Sequence, residues 1–220
     1  MKVYTTYIFD LDGTLTDTLV VWLGIFRDLL IEFDVAPPSD KVLSKHTHNW
    51  RQMLELGLPE EKLEAFIARA HILANSRLPE ASLHVCTYDM LKVLKRSNKR
   101  IAIFSTMDRP IFEPAIEHHK LGTFAEVMVA GTDVEHRKPH PDGIIKVLDD
   151  LGISEDGYGD VVYIGDKDTD ILAAVNAGVD GVLYYPPTHQ EFYDENDLKQ
   201  HHPAYILTDW QELINSLDIK

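Results

Sequence analysis

From Tyr88 onwards, short apolar runs alternate with segments of helical periodicity, and this alternation limits the chain to few folds. The apolar runs read RIAIFS, EVMVAG, DVVYIGD, GVLYY and AYIL, and helical patterns lie before, between and after them. Such an alternation predicts a parallel sheet that is covered by helices on both faces. An earlier run, VYTTYIF, is rich in β-branched and aromatic residues and predicts a further strand near the start of the chain.

Between this first strand and the alternating region, the sequence predicts helices without a clear strand. The segment LVVWLGIFRDLLIEF reads as a long helix that Asp17 or Thr18 would cap, and three further helical patterns follow it. We therefore predict a doubly wound, Rossmann-like α/β core. The core would comprise residues 1–16 and 84–220, and an α-helical cap at residues 17–83 would be inserted after the first strand.

Composition narrows the possible functions. The chain has 220 residues and a formal charge of −15, which argues against a general nucleic-acid binder because such a protein needs a basic face. Its single cysteine, Cys86, excludes an intrachain disulfide and fits a reducing compartment. No apolar stretch reaches the length of a membrane span, and the start of the chain lacks the layout of a signal peptide. We therefore expect a cytoplasmic enzyme that binds neither nucleic acid nor membranes.

Polar sequences follow several of the predicted strands. DLDGT follows VYTTYIF, STMD follows RIAIF, GDKDTD follows DVVYI, and RKPHPD lies in the loop after EVMVAG. Ligands of doubly wound sheets bind at the carboxyl ends of strands, so we expect these four loops to form one composite site. Residues two apart in a strand project to the same side, so Asp10 and Asp12 would present two carboxylates together before Gly13 permits a turn. Buried carboxylates of this kind need a paired cation or a metal.

These sequences resemble the motifs of a known superfamily. DLDGT at residues 10–14, Ser105 after IAIF, Lys138 in KPHPD and GDKDTD at residues 165–170 occur in that order. The chain resembles the haloacid dehalogenase superfamily, in the subclass that carries a helical cap between the first two motifs. The resemblance spans essentially the whole chain, and it implies a magnesium-dependent phosphohydrolase that works through an aspartyl-phosphate. It also implies a monomer.

The resemblance assigns roles to the acidic residues. Asp10 would be the nucleophile, and Asp12 would be the general acid and then the general base. Asp10, Asp166 and the backbone carbonyl of Asp12 would bind Mg²⁺. Asp170 would contact metal-bound water or orient the site; alternatively, its carboxylate only stabilises the N-terminus of a helix. Asp17 is predicted to cap a helix rather than to act directly.

The phosphoryl group would be bound by neutral donors and one cation. Ser105 and Thr106 would donate hydrogen bonds to its oxygens, although Thr106 stands where members of the family frequently carry Asn. Lys138 would supply a fixed positive charge. The close histidine pairs of the chain lack the spacing of a structural zinc site, so most histidines are expected at the surface.

Basic and polar residues concentrate in one segment of the predicted cap. Residues 44–51 include Lys45, His46, His48 and Arg51, in a strongly acidic protein. We expect this loop to face the core and to recognise a carboxylate, a second phosphate or a hydroxyl of the leaving group. The alternative is a solvated surface of the cap.

The leading interpretation is a phosphatase of a small phosphorylated metabolite. The alternative within the enzymes is a phosphosugar mutase of the beta-phosphoglucomutase type, for which Lys45 and Arg51 could hold a second phosphate. An interpretation from another class is a catalytically silent binding or regulatory protein. That interpretation predicts a damaged motif, and all four motifs are intact.

Overall fold

The computed structural model describes residues 2–46 and 50–217. Within them, six parallel strands form one sheet in the order β3-β2-β1-β4-β5-β6. The strands are β1 (Thr6–Phe9), β2 (Arg100–Phe104), β3 (Val127–Val129), β4 (Val161–Gly165), β5 (Asp180–Tyr184) and β6 (Tyr205–Leu207). The strand order reverses direction at β1, which places a crevice at the carboxyl end of this strand. The predicted α/β class is confirmed.

The alternation of side chains along β1 explains why both faces of the sheet are covered. Tyr7 and Phe9 pack into one core cluster, whereas Ile8 between them packs into a second cluster on the opposite face. The first cluster contains residues of α4 (Thr87–Arg96), α5 (Arg109–His118) and α10 (Trp210–Leu217). The second contains residues of α6 (Asp142–Asp150) and α7 (Asp168–Ala177). A parallel sheet of this kind is stable because neither face is left to solvent.

The insertion after β1 is helical, as predicted. It contains α1 (Leu19–Glu32), α2 (Asp40–Leu43) and α3 (Leu63–Arg77), with 3₁₀ segments at Ser44–His46, Trp50–Leu56 and Glu60–Lys62. Aromatic side chains join its helices: the Phe26 ring of α1 stacks on the Phe66 ring of α3 at a centroid distance of 6.3 Å. One of the three further helical patterns predicted after α1, NWRQMLEL, is a 3₁₀ segment in its described part, Trp50–Leu56.

The two chain segments that connect the insertion to the core lie side by side. The backbone N–H of Asp17 donates to the carbonyl of Ser82 at 2.7 Å, and the N–H of His84 donates to the carbonyl of Leu15 at 3.0 Å. These contacts support our placement of the cap at residues 17–83, which stays a proposal.

Two short helices after β5 have no counterpart in the sequence prediction. They are α8 (Pro187–Gln190) and α9 (Glu195–Lys199). Helix α8 places His189 beneath the polar loops, with its side chain fully buried. Among the described residues, no helix combines the length and the apolar character that a membrane crossing requires.

Candidate active site

The polar loops converge at the carboxyl edge of the sheet, beside a cavity of about 470 Å³. The core side of this cavity is lined by residues that include Asp12, Thr106, Lys138, Asp166 and Lys167. They follow β1, β2, β3 and β4, so the four loops meet as the strand order requires. The arrangement forms one composite pocket.

Lys138 connects several of the polar side chains. Its Nζ donates to Asp10 Oδ1 at 2.9 Å, to Asp170 Oδ1 at 2.6 Å and to the Tyr163 hydroxyl at 2.9 Å. The lysine side chain is only 5% exposed. Burial lowers the pKa of Lys138, but the carboxylates of Asp10 and Asp170 outweigh this effect, and the pKa is raised above its usual value. The site therefore contains a permanently charged ammonium group.

Three buried carboxyl groups lie close together beside Lys138. Oxygen atoms of Asp10, Asp166 and Asp170 all lie within 4.8 Å of one another. Burial raises the pKa of Asp10 to about 6; Lys138 opposes this rise, and the Asp170 carboxylate adds to it. Burial also raises the pKa of Asp166 well above its usual value, against the attraction of Lys167. Both pKa shifts mean that burial disfavours the ionised carboxylates of Asp10 and Asp166, which a nearby cation would stabilise.

The residues present fit a bound Mg²⁺ ion. Around the buried cluster, four acidic side chains (Asp10, Asp12, Asp166 and Asp170) outnumber two ammonium groups (Lys138 and Lys167). Asp108 and Arg137 also line the cavity, but they pair with each other. A divalent cation would neutralise this excess, and Mg²⁺ prefers carboxylate oxygens. Asp10 and Asp166 are suited to hold it. Both oxygens of Asp170 instead accept hydrogen bonds, from Lys138 Nζ and from the backbone N–H of Lys167. Asp170 therefore contacts both Lys138 and the start of α7, and its predicted roles stay predictions.

Asp12 is held by the cap. The indole Nε1 of Trp22, on α1, donates to both carboxylate oxygens of Asp12, at 3.0 and 3.1 Å. Lys167 Nζ lies 4.0 Å from Asp12 Oδ2. The Asp12 carboxylate thus lies at the cavity wall between core and cap, where a leaving group would enter.

The remaining phosphate-binding candidates differ in their exposure. Ser105 is fully buried, and its Oγ accepts a hydrogen bond from the backbone N–H of Met107 at 3.3 Å. Thr106 lines the cavity. Position 13, in the loop after β1, requires glycine. Its φ is +86°, and a β-carbon there would lie 2.6 Å from Asp166 Oδ2.

None of the predicted cap residues that the structure describes lines the cavity. His46 Nδ1 lies 2.8 Å from the Val42 carbonyl oxygen, and the other ring nitrogen lies 3.6 Å from the Glu55 carboxylate. Arg51 is exposed, and its guanidinium is 3.6 Å from the Glu60 carboxylate. Lys45 lines a different surface depression. His48 lies outside the described residues.

Aromatic residues form the cap wall of the cavity instead. Trp22, Trp50 and His71 line it. The ring centroids of Trp22 and Trp50 are 5.9 Å apart, and those of Trp50 and His71 are 4.7 Å apart. These rings belong to the apolar interior of the cap, which explains why they, rather than the charged residues of the segment 44–51, meet the core.

Besides the aromatic residues of the cap wall, four residues near the site were missed from the sequence: Tyr163, Lys167, His84 and His189. Tyr163 donates its hydroxyl to the Phe104 carbonyl at 3.0 Å and accepts from Lys138; its position inside a strand gave no signal. Lys167 stands within GDKDTD and could have been noted there. His84 and His189 are distant in sequence but close in space, and burial lowers the pKa of both, that of His189 to about 3. Both imidazoles are therefore neutral.

The comparisons with known proteins agree with this geometry. The family model described as haloacid dehalogenase-like hydrolase matches residues 7–184. The chain is 28% identical over 214 residues to pyrophosphatase PpaX of Oceanobacillus iheyensis, covering 95% of this chain and 94% of that protein. It is 26% identical over 182 residues to phosphoglycolate phosphatase 1 of Pseudomonas aeruginosa, covering 78% of this chain and 66% of that protein.

A solved structure shows the same fold. It is a hydrolase of the haloacid dehalogenase-like family from Streptococcus pneumoniae, with a TM-score of 0.83 and 21% identity, and the match covers 99% of this chain and 100% of that one. The family model spans most of the chain and includes the loops that carry Asp10, Ser105, Lys138 and Asp166. On this evidence, the chain belongs to the haloacid dehalogenase-like hydrolase family.

Proposed function

We propose that this protein is a magnesium-dependent phosphatase that hydrolyses a small phosphorylated metabolite through an aspartyl-phosphate on Asp10. The observation that carries the proposal is the convergence of Asp12, Lys138 and Asp166 at one cavity, with Asp10 beside them in contact with Lys138 and close to Asp166. The names of the two relatives, a pyrophosphatase and a phosphoglycolate phosphatase, support phosphate chemistry.

In the first step, a carboxylate oxygen of Asp10 attacks phosphorus, and the bond from phosphorus to the leaving oxygen breaks. Asp12 gives its proton to that oxygen, so the product leaves as an alcohol or an acid. Lys138 and the hydroxyls of Ser105 and Thr106 stabilise the charge on the phosphoryl oxygens. Mg²⁺, when held by Asp10, Asp166 and the backbone carbonyl of Asp12, supplies further positive charge against these oxygens.

In the second step, water attacks the phosphorus of the aspartyl-phosphate. Asp12, now ionised, takes a proton from this water, and the bond between phosphorus and the Asp10 oxygen breaks. Inorganic phosphate leaves, and both carboxyl groups return to their starting states. Lys138 keeps the Asp10 carboxylate in place throughout, because Asp170 and Tyr163 hold the ammonium group from the other side.

The placement of cations favours hydrolysis over the mutase alternative. A mutase has to hold a second phosphate on the cap side of the cavity. Among the described residues, the lysines and arginines that line the cavity are Arg137, Lys138 and Lys167, and all of them belong to the core. The described part of the cap contributes Thr18, Leu19, two indole rings and the His71 imidazole.

A substrate panel tests the proposal. Phosphate release is measured with an aryl phosphate, pyrophosphate, phosphoglycolate, sugar phosphates and nucleotides, in Mg²⁺ and in EDTA, and the substrates are ranked by kcat/KM. We expect Mg²⁺-dependent release with a clear preference within the panel. Isomerisation of a sugar phosphate without release would favour the mutase. Equal turnover in EDTA, or no release from any compound, would overturn the proposal.

A further inference from the structure

A second group of polar side chains lies behind the catalytic carboxylates. Asp17 Oδ1 and both ring nitrogens of His189 are buried and have no hydrogen-bond partner among the described residues. The His189 side chain is 0% exposed. An unpaired buried polar atom is unfavourable, so three such atoms at two facing residues indicate that something binds between them.

The neighbouring His84 completes this group. Asp17, His84 and His189 offer ligand atoms that all lie within 4.8 Å of one another. Atoms that are each about 2.1 Å from one metal ion lie at most about 4.2 Å apart, so small side-chain rotations bring all three to a common ion. The three residues come from separate segments: the loop after β1, the residue stretch before α4, and helix α8.

The electrostatics of the group suit a cation. Asp17 has no lysine or arginine within salt-bridge distance in the described part of the chain; its one such neighbour is His84 Nε2, at 4.0 Å. A carboxyl oxygen of Asp166 also borders the group, because its Oδ2 lies 3.7 Å from His189 Nδ1. His84 Nε2 donates a hydrogen bond to the Gly13 carbonyl oxygen at 3.2 Å, so an ion bound at this nitrogen would replace that hydrogen bond.

We propose that Asp17, His84 and His189 form a second metal site, for a divalent transition-metal ion of the zinc or cobalt type. Two neutral imidazoles and one carboxylate are ligands that such ions prefer, whereas Mg²⁺ prefers oxygen alone. The site is therefore chemically distinct from the oxygen site of Asp10 and Asp166. The side chain of Asp17 is 28% exposed, which leaves a path for the ion.

Cobalt reports on this site without any use of activity. The full-length protein is saturated with Mg²⁺ and titrated with Co²⁺, and the visible absorption is recorded. Co²⁺ that has a low coordination number and two imidazole ligands gives strong visible absorption bands. Octahedral Co²⁺ with oxygen ligands gives weak bands. We expect one equivalent of strongly absorbing Co²⁺, which Zn²⁺ displaces.

Three variants locate the ion. Asp17→Asn keeps the shape of the side chain, and His189→Phe fills the buried space with an apolar ring; each is expected to weaken Co²⁺ binding by roughly a hundredfold or more. The control is the double variant His136→Ala, His140→Ala, which removes the exposed group His136, His140 and Asp142 and should bind like the unaltered protein. If His189→Phe does not fold, Asp17→Asn decides the question.

The same titration can overturn the proposal. Absence of strong bands in the unaltered protein would mean that water fills the group. Bands that survive Asp17→Asn but vanish in the double variant would assign the metal to the exposed histidines. Because the readout is absorption, either result leaves the proposed phosphatase activity to be judged by its own assay.

Discussion

At the scale of single residues, Lys138 is both a candidate phosphate-binding residue and a member of a buried ion-pair cluster. Its ammonium group faces the cavity and also bonds to the buried carboxylates of Asp10 and Asp170. Removal of one partner of a buried ion pair leaves the other charge uncompensated, which costs far more than the loss of a surface pair. The sequence motif predicts the catalytic role, but the structural role depends on burial that only the fold creates.

Lys138→Ala should therefore lower stability as well as activity. We expect the free energy of unfolding to fall by about 3–5 kcal/mol in urea denaturation without metal. The matched control is Lys146→Ala, which breaks an exposed pair with Asp150 and should change stability by less than about 0.5 kcal/mol. Equal stability of the two variants would show that Lys138 does not hold the carboxylates together.

The two carboxylates of DLDGT should respond differently to amide substitution. Asp10→Asn should abolish turnover and leave the fold intact, because the amide is a poor nucleophile and a weaker metal ligand. Asp12→Asn should lower kcat by a factor of roughly 10² to 10⁴, because proton transfer is lost. Steady-state kinetics with circular dichroism as the folding control measures both. An Asp10→Asn variant that turns over like the unaltered protein would exclude the covalent route.

Motif residues were predictable from sequence, and their supporting residues were not. Asp10, Lys138 and Asp166 stand at strand ends or in the loop of a recognisable pattern, so their convergence follows from topology. Tyr163 and His189 lie inside ordinary-looking segments, and only three-dimensional packing brings them to the site. The charges of Lys45 and Arg51 indicated the cap loop, but exposure and local acidic partners, rather than charge alone, decide where such side chains lie.

At the scale of elements, helix α1 connects the cap to the chemistry. Trp22 stacks on Phe26 with a centroid distance of 5.5 Å, and this packing fixes the indole that donates to Asp12. The candidate general acid therefore takes its orientation from the cap. A hydrogen bond to a charged group contributes about 1.5–3 kcal/mol, enough to affect how Asp12 is positioned.

Trp22→Phe tests this connection, because it keeps the ring and removes the N–H. We expect kcat to fall by roughly tenfold or more for an alkyl phosphate, whose leaving group needs a proton. An aryl phosphate with a good leaving group should be affected much less. Trp50→Phe is the matched control in the same ring cluster. An equal loss on both substrates would assign Trp22 to packing alone.

The sequence predicted the long helix α1 and the six strands, but it missed the two short helices α8 and α9. The periodicity of LVVWLGIFRDLLIEF matches α1, and the apolar runs match the six strands. The residues between β5 and β6 contain α8 and α9, of four and five residues. Helices this short carry little periodic signal, because tertiary contacts rather than propensity stabilise them.

At the scale of the whole molecule, the strand order determines where function can lie. Reversal at β1 opens the crevice that Asp12 lines and beside which Asp10 lies, and the insertion after β1 covers it. The strongly acidic surface implies that an anionic substrate is attracted only locally, by Lys138, Lys167 and a bound cation.

Metal removal should therefore abolish activity, and excess Ca²⁺ should suppress it. Calcium accepts more oxygen ligands than Mg²⁺, at longer distances, and could coordinate both Asp10 oxygens. Neither oxygen would then be free to attack phosphorus. Phosphate release is measured in EDTA, after Mg²⁺ is restored, and with Ca²⁺ added to saturating Mg²⁺. Full activity in excess Ca²⁺ would contradict the shared role of Asp10 as ligand and nucleophile.

Covalent phosphorylation of Asp10 is the central claim, and mass spectrometry of the acid-quenched Asp12→Asn variant tests it most directly. With an aryl phosphate and Mg²⁺, the first step needs no acid, whereas the second lacks its base, so the intermediate should accumulate. We predict the added mass of one phosphoryl group on the peptide that contains Asp10, and none when Asp10→Asn is added. An unmodified peptide during continued turnover, or a phosphoryl group on another residue, would contradict the account.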